Sequence, residues 1–349
     1  MSVYLGGNPV PWLMSRCGPE VRHLCLRDIL RPACGDAAVG EGYAALRSSD
    51  AYRRFFGAAK GGVLGDTKRF DLFEHGVMWR FAEAVARGYD RGEPVVDATA
   101  EFIMRRCRGG SGGFIMNWKP ALEAGCITGA MVRRLLEAGF DDERTERGIA
   151  WIREHQREDG GWLHCPTAGS MDVMRLLLFR RAGAGLAREE DTSIPSCVFA
   201  TFECLMALLE YGERRGRLEA AASRASEFLL GNRLFADNTN GAVSVCAAVG
   251  RASDFVRTGF PVFLQYDTLA GLIAIARAGR FGDGRVNAAF NALIARQNTD
   301  GSYPAERRER GMLWEGGMMA RYNRRDPWVT LNALRLFTRA GLVSVSDLI

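Results

Sequence analysis

Two kinds of helical segment alternate along most of this chain. Segments of the first kind are apolar on nearly all sides, which is typical of helices buried in a core. They cover residues 72–87, 124–138, 197–211, 265–278 and 328–340. Segments of the second kind have apolar residues on one face only, and they cover 42–56, 94–106, 143–155, 218–230 and 286–297. No stretch has the two-residue period of a strand, so the pattern predicts an all-α fold with buried inner helices and one-sided outer helices.

The apolar segments all end in the same way. Each is followed by a glycine where a C-cap belongs, a position at which the backbone often takes a positive φ. These glycines are Gly88, Gly139, Gly212, Gly279 and Gly341. Their separations differ, so we expect helix pairs that recur and loops that vary in length. Residues 163–196 contain a helical pattern that no outer helix follows, and we interpret this stretch as an insertion.

A short motif recurs between outer and inner helices. Its best copy is Gln156-Arg157-Glu158-Asp159-Gly160-Gly161-Trp162. Residues 297–304 form a degenerate copy with Tyr303 in place of tryptophan, and residues 109–114 form a weaker one that ends in Phe114. The glycines allow the chain to reverse, and the aromatic ring offers a flat face to neighbouring helices. A repeated unit of this size predicts a repeat architecture.

The motif and the helix-pair rhythm resemble the repeats of protein prenyltransferases and squalene cyclases. The resemblance implies a single α/α toroid of about five to six inner and outer helix pairs. Its inner helices would run parallel, so that all their N-termini open at one mouth. We expect the toroid to span residues 38–349, with residues 1–37 as an N-terminal helical extension packed on it. The same fold supports several reactions, so the resemblance alone does not fix the chemistry.

Composition narrows the class of protein further. The chain has 349 residues, 47% of them hydrophobic, and a formal net charge of +5 that is spread along its length. These values describe a globular protein and give no reason to expect a nucleic-acid partner. We find no signal peptide and no spanning segment, so membrane association is not indicated. The nine cysteines are therefore expected to be reduced thiols, and the expected location is the cytoplasm.

Three cysteines are candidate zinc ligands because they are expected at one level of the ring, near the mouth. They are Cys126 and Cys197, at inner helix starts, and Cys165 in the loop after the motif. The candidate fourth ligands at this level are His75, His164 and Asp267. Zinc favours such a set, and a helix N-terminus lowers the pKa of a thiol. The resembled prenyltransferases also place zinc ligands at this end, although this chain lacks their Asp-x-Cys pair. The alternative is that the cysteines are small packing residues.

Asp267 and Tyr266 are the candidate catalytic residues. Squalene cyclases protonate their substrate from an Asp-x-Asp-Asp motif, which this sequence lacks. Asp267 begins an apolar helix directly after Tyr266, so it is the best candidate for a buried acid. The alternative is that Asp267 is the N-cap of that helix. The acidic string at 189–192 is expected to be a solvated loop.

Substrate contacts are expected from aromatic and basic residues near the mouth. Trp79 and Trp328 lie on inner helices, and Arg321 and Arg324 lie in the arginine-rich loop at 303–326. This loop is a candidate lid that grips a diphosphate through guanidinium groups. The alternative is a solvated, mobile loop.

Three functions remain open at this stage. The resemblance implies a terpene-cyclase or prenyltransferase-like enzyme that acts on an isoprenoid or other hydrophobic small molecule in a central cavity. A second possibility is a non-catalytic toroid that binds a hydrophobic ligand or a peptide. A third is a zinc-dependent enzyme that activates a thiol.

Overall fold

The computed structural model describes residues 4–68, 76–115, 121–163, 194–235, 255–260, 266–306 and 323–349. Helices account for most of them. In chain order the helices are α1 (Val10–Arg16), α2 (Pro19–Cys25), the π-helix Leu26–Leu30, α3 (Arg31–Arg47), α4 (Asp50–Gly57), α5 (Val77–Ala86), α6 (Pro94–Arg106), α7 (Gly125–Glu137), α8 (Glu143–Glu154), α9 (Val198–Arg214), α10 (Ala220–Gly231), α11 (Thr268–Arg277), α12 (Asn287–Ile294) and α13 (Pro327–Arg339). Short 3₁₀ turns lie at Arg233–Phe235, Gly284–Val286 and Val345–Asp347.

Burial separates the inner from the outer helices as the sequence pattern predicts. In α9, 14 of 17 residues are buried, whereas in α12 only Ala289 and Leu293 are buried. Helices α5, α7, α11 and α13 resemble α9 in this respect. The predicted alternation of inner and outer helices is therefore confirmed for the described residues.

The inner helices contact one another in sequence order. Helix α5 packs on α7, α7 on α9, α9 on α11 and α11 on α13. Helix α13 then contacts α2 and the π-helix, and Arg87 at the end of α5 donates to Glu20 in α2 at 2.9 Å. The contacts thus run from α5 to α13 and return through α2. The predicted domain boundary at residue 37 falls within α3 and stays a prediction.

The three motif copies share one loop geometry. In each copy one backbone N–H donates to the carbonyl four residues later: Gly109 to Gly113, Arg157 to Gly161 and Asn298 to Ser302, at 2.9–3.0 Å. The glycine before that acceptor has a positive φ in every copy: Gly112, Gly160 and Gly301. The sequence repeat is therefore also a structural repeat.

Each motif loop is joined to the inner helix that follows it by a buried threonine. The backbone N–H of the motif aromatic donates to a threonine hydroxyl: Phe114 to Thr128, Trp162 to Thr201 and Tyr303 to Thr330, at 2.9–3.2 Å. Each threonine is the fourth residue of its helix, α7, α9 or α13. This contact fixes where the loop meets the helix start.

Gly160 shows why the motif needs glycine. Its φ is +86°, and a Cβ atom there would lie 2.5 Å from the carbonyl oxygen of Arg224 in α10. Gln156 holds the same junction from the other side, because its Nε2 donates to the carbonyl oxygens of Gly160 and Ala221. The loop therefore packs backbone to backbone against the next outer helix.

A short antiparallel sheet is present that the sequence pattern did not predict. Strand β1 (Tyr303–Ala305) pairs with β2 (Asn323–Asp326), directly before α13. The strands are three and four residues long, too short to show a two-residue period in the sequence. The expectation of no strand was wrong at this point.

Candidate functional site

The inner helices surround a cavity of about 710 Å³. Its apolar wall includes side chains from three inner helices and the segment before α11, among them Val85, Phe202, Met206, Phe260, Leu269 and Ile273. Cavities of this size hold small molecules in many proteins. The apolar wall favours a ligand with substantial hydrocarbon surface.

Charged side chains surround the same cavity at the C-terminal ends of the inner helices and in the π-helix. We call this set the charged rim; its members are Arg27, Asp28, Asp90, Arg133, Arg134, Glu137, Glu210, Glu213, Arg277, Arg335 and Arg339. Most of them form ion pairs between different elements. Arg277 of α11 contacts Glu210 and Glu213 of α9 at 2.7 and 2.9 Å, and Arg339 of α13 also reaches Glu213, at 2.8 Å. The rim therefore links neighbouring inner helices as well as lining the cavity.

Arg133 connects the rim to a fully buried carboxylate. Its guanidinium lies 2.8 Å from Glu137 and 3.2 Å from Glu203, and it also packs over the ring of Phe202. Burial raises the pKa of Glu203 despite the nearby arginines. For Glu137, burial opposes ionisation, but the guanidiniums of Arg133 and Arg134 outweigh it and lower the pKa. Glu137 is thus held in its ionised form, while Glu203 is easier to protonate.

Asp267 lines the cavity at the end opposite the rim and caps α11. Its Oδ1 accepts the backbone N–H of Ala270 at 2.7 Å, and its Oδ2 accepts that of Gly259 at 3.3 Å. The side chain is 1% exposed. The N-cap alternative is therefore observed, and a catalytic role for the same carboxylate stays a prediction.

Tyr266 is a packing residue in this structure. Its ring meets Phe202, Phe235 and Phe255, and its hydroxyl donates to the carbonyl of Leu234 at 3.2 Å. Burial raises its pKa well above the usual value. Tyr266 is not among the described residues that line the cavity, and a catalytic role for it stays a prediction.

The three predicted substrate-binding residues that the structure describes, Trp79, Trp328 and Arg324, are not among the residues that line the cavity. Trp79 and Trp328 are each 1% exposed, and Trp328 stacks at 4.6 Å on Phe260, which does line the cavity. Arg324 is exposed in β2, and Arg321 lies outside the described residues. Trp328 therefore supports the cavity wall from behind.

Three of the six candidate zinc ligands can be placed, and Asp267 is the N-cap of α11 described above. Cys126 is the second residue of α7 and Cys197 is the N-cap of α9, and both are buried. Cys165, His75 and His164 lie outside the described residues. In the part of the chain that the structure describes, no three His, Cys, Asp or Glu side chains gather as a metal-binding group. The zinc site stays a prediction.

The charged rim is the feature that sequence reasoning missed. A signal was present, because α9 reads as apolar yet contains Glu203 and Glu210, and α7 contains two adjacent arginines before Glu137. Charges inside a buried helix need partners, and Glu203 and Glu210 have partners on other inner helices, Arg133 of α7 and Arg277 of α11. Which helices would meet could not be deduced from the spacing alone.

The chain has only distant structural similarity to the solved structures compared with it. No protein-family model and no curated protein matches this chain. A structure of a protein from Actinoplanes is 16% identical over 93% of this chain and 90% of its own, with a TM-score of 0.45. The type II terpene cyclase MstE from Scytonema, in complex with merosterolic acid A, is 13% identical over 93% and 86%, with a TM-score of 0.42.

A family 76 glycoside hydrolase from a bovine Bacteroides thetaiotaomicron strain is 10% identical over 92% of this chain and 68% of its own, with a TM-score of 0.44. TM-scores below 0.5 are too low to establish the fold. The description of the fold is therefore based on the helix order and the contacts given above. Among the described residues, no helix has both the length and the apolar character needed to cross a bilayer.

Proposed function

We propose that this chain is an enzyme that holds an isoprenoid or similarly apolar small molecule in its central cavity, with terpene-cyclase or prenyl-transfer chemistry. The observation that carries the proposal is the cavity itself: about 710 Å³, with an apolar wall supplied by the inner helices. A site of this kind buries most of a small ligand's surface, so burial of hydrocarbon supplies the binding energy.

Asp267 is the proposed catalytic residue. Two backbone N–H groups hold its carboxylate at the cavity wall, beside Leu269 and Phe260. Cyclisation and alkyl transfer both pass through positive charge on the substrate. A fixed carboxylate in an apolar wall stabilises such charge more strongly than one in water would. In this proposal Asp267 therefore acts as a fixed negative charge, which fits its hydrogen bonds better than proton donation does.

Turnover tests the proposal. The purified protein would be incubated with farnesyl or geranylgeranyl diphosphate, and the organic extract would be analysed by gas chromatography with mass spectrometry. We expect cyclised products, or the prenyl alcohol with water as the acceptor, from the natural protein. Asp267→Asn keeps a cap acceptor for Ala270 but removes the charge, so it should fold normally and lose most activity.

The control is Asp283→Asn, which changes the N-cap of the surface 3₁₀ turn before α12. It should leave the product yield unchanged. Tight binding of the diphosphates without any product would favour the non-catalytic alternative. Absence of both binding and products would contradict the proposed function.

A further inference from the structure

We propose that the charged rim binds an oxyanion headgroup of the cavity's ligand, with the ligand's apolar part directed inwards. The proposal rests on the proposed function, because it assigns a headgroup class and an orientation to the ligand of the same cavity. It also places ligand entry at the C-terminal ends of the inner helices. The sequence analysis expected the mouth at their N-terminal ends.

Exposure shows which end of the cavity meets solvent. At the rim, the side chain of Arg339 is 51% exposed and that of Glu213 is 36% exposed. At the opposite end, Asp267 and Leu269 are 1% and 3% exposed. Within the described ranges, the cavity therefore reaches solvent through the rim.

The apolar and charged levels of the cavity are separated along its axis. Ile273 lies one helical turn before Arg277 in α11, and Met206 lies one turn before Glu210 in α9. Four residues of helix correspond to ~6 Å. A ligand that spans both levels must combine a polar end at the rim with an apolar body further in.

Hydrogen-bonding capacity decides the class of headgroup. The rim carboxylates are shared: Glu213 accepts from Arg277 and Arg339, and Asp28 contacts both Arg27 and Arg335. A guanidinium has five N–H donors. In the described part of the chain, Arg339 uses only its Nη2, and Arg277 uses Nε and Nη2. The rim thus offers a ligand spare donors, which match a carboxylate or a phosphate.

The C-terminal ends of helices carry partial negative charge, which opposes an anion. Here some of the terminal carbonyl groups are already satisfied. Arg214 donates to the carbonyl of Leu136 at the end of α7 at 2.6 Å, and the backbone of Gly279 donates to Ala276 at the end of α11 at 3.1 Å. The dipole effect is confined to the last turn, where the rim arginines also lie.

Four probes with the same tail separate headgroup from tail binding: dodecyl phosphate, dodecanoate, dodecanol and dodecyltrimethylammonium. Their dissociation constants would be measured by calorimetry below their micellar concentrations. We expect both anions to bind at least ~10-fold more tightly than dodecanol, as charge-assisted hydrogen bonds allow. The cation should bind more weakly than dodecanol. The two anions also show whether the rim prefers phosphate or carboxylate.

Arg339→Ala tests the rim directly at a half-exposed position that should tolerate the change. It should weaken the binding of both anions ~10-fold and leave dodecanol binding unchanged. Arg277→Lys keeps the charge but loses the planar guanidinium group, which can donate two parallel hydrogen bonds. It should therefore also weaken anion binding. The control is Arg147→Ala, which breaks a surface pair with Glu143 on α8 and should change nothing.

The outcomes distinguish this proposal from the one it rests on. If all four probes bind equally, or if the cation binds most tightly, the oxyanion subsite is wrong while the cavity still binds apolar ligands. Unchanged anion affinity in both arginine variants would also overturn it. If none of the probes binds, dodecanol included, the proposed function fails as well.

Discussion

Trp162 joins an outer helix, a motif loop and an inner helix through one buried residue. Its indole N–H donates to the carbonyl of Ile152 in α8 at 2.8 Å, its backbone N–H donates to Thr201 in α9, and it is 1% exposed. We expect Trp162→Ala to lower the free energy of unfolding by roughly 3–5 kcal/mol, as other large-to-small core changes do. Trp162→Phe keeps most of the volume and should cost less. A urea titration measures both, and a loss under about 1 kcal/mol for the alanine variant would contradict the packing described here.

Cys126 and Cys197 are the two candidate zinc-binding cysteines that the structure describes. If they bind zinc with Cys165 and one of His75, His164 or Asp267, purified protein should hold close to one equivalent of metal. Cys126→Ala or Cys197→Ala should release it, and a chelator should lower the unfolding temperature. Cys204→Ala is the control, because the Cys204 thiol donates to the carbonyl of Gly125 instead. If the purified protein contains no metal and a chelator leaves its stability unchanged, the zinc prediction is wrong and these cysteines are packing residues.

Single residues could be predicted from the sequence where the cause is local. Asp267 precedes an apolar helix, so both its burial and its capping role follow from the pattern around it. The pairing of Asp28 with Arg335 could not be predicted, because 307 residues separate the two. Nothing near either residue indicates that α13 returns to the π-helix.

The motif loops are joined to the inner helices by hydrogen bonds to buried threonines. Thr201 accepts the backbone N–H of Trp162 and is fully buried. Thr201→Val keeps the shape but leaves that N–H without a partner, so we expect a loss of about 1–3 kcal/mol in the free energy of unfolding. Thr201→Ser should lose less, since the hydroxyl remains. Denaturant titration of the two variants decides the point, and a Thr201→Val variant as stable as the natural protein would mean that the hydrogen bond does not contribute.

The break between α3 and α4 is a helix boundary that the hydrophobic pattern does not show, because one side-chain hydrogen bond causes it. The predicted helix at 42–56 is broken in the structure, because α3 ends at Arg47 and α4 begins at Asp50. Ser49 makes this break by accepting the backbone N–H of Tyr52 at 3.1 Å. Serine is a common N-cap, but hydrophobic periodicity continues across it and conceals the break.

The whole molecule is closed by contacts between the two ends of the chain. Gly6 donates to the side chain of Gln297 in the last motif copy at 2.7 Å, and Asn8 donates to the carbonyl of Leu348 at 2.9 Å. Arg335 of α13 also pairs with Asp28 of the π-helix. The sequence predicted the N-terminal residues as an extension packed on the toroid. It could not show that they link the last repeat to α5.

This closure should depend on pH. Burial alone would raise the pKa of Asp28, but the guanidiniums of Arg335 and Arg27 outweigh it and lower the pKa to about 2. An unfolded aspartate titrates near ~3.9. The folded pKa is the lower one, so the stability that Asp28 contributes is complete above the unfolded value and is lost as pH falls toward 2.

Asp28→Asn should therefore be less stable than the natural protein at pH 6, and the difference should shrink between pH 4 and pH 2.5. Asp36→Asn, at an exposed pair with Arg31, is the control and should show little difference at either pH. Thermal unfolding across this pH range measures both. A difference that stays constant with pH would show that the carboxylate charge of Asp28 does not hold the closure.

The central claim is that the cavity between the inner helices binds an apolar small molecule. Ile273→Trp places a large ring in that cavity, whereas Ile294→Trp makes the same change on α12, away from the cavity lining. Calorimetric titration with geranylgeraniol is the most direct measurement. We expect saturable binding to the natural protein and to Ile294→Trp, and a loss of at least ~10-fold in affinity for Ile273→Trp. Equal binding by all three proteins would place the ligand elsewhere and contradict the account.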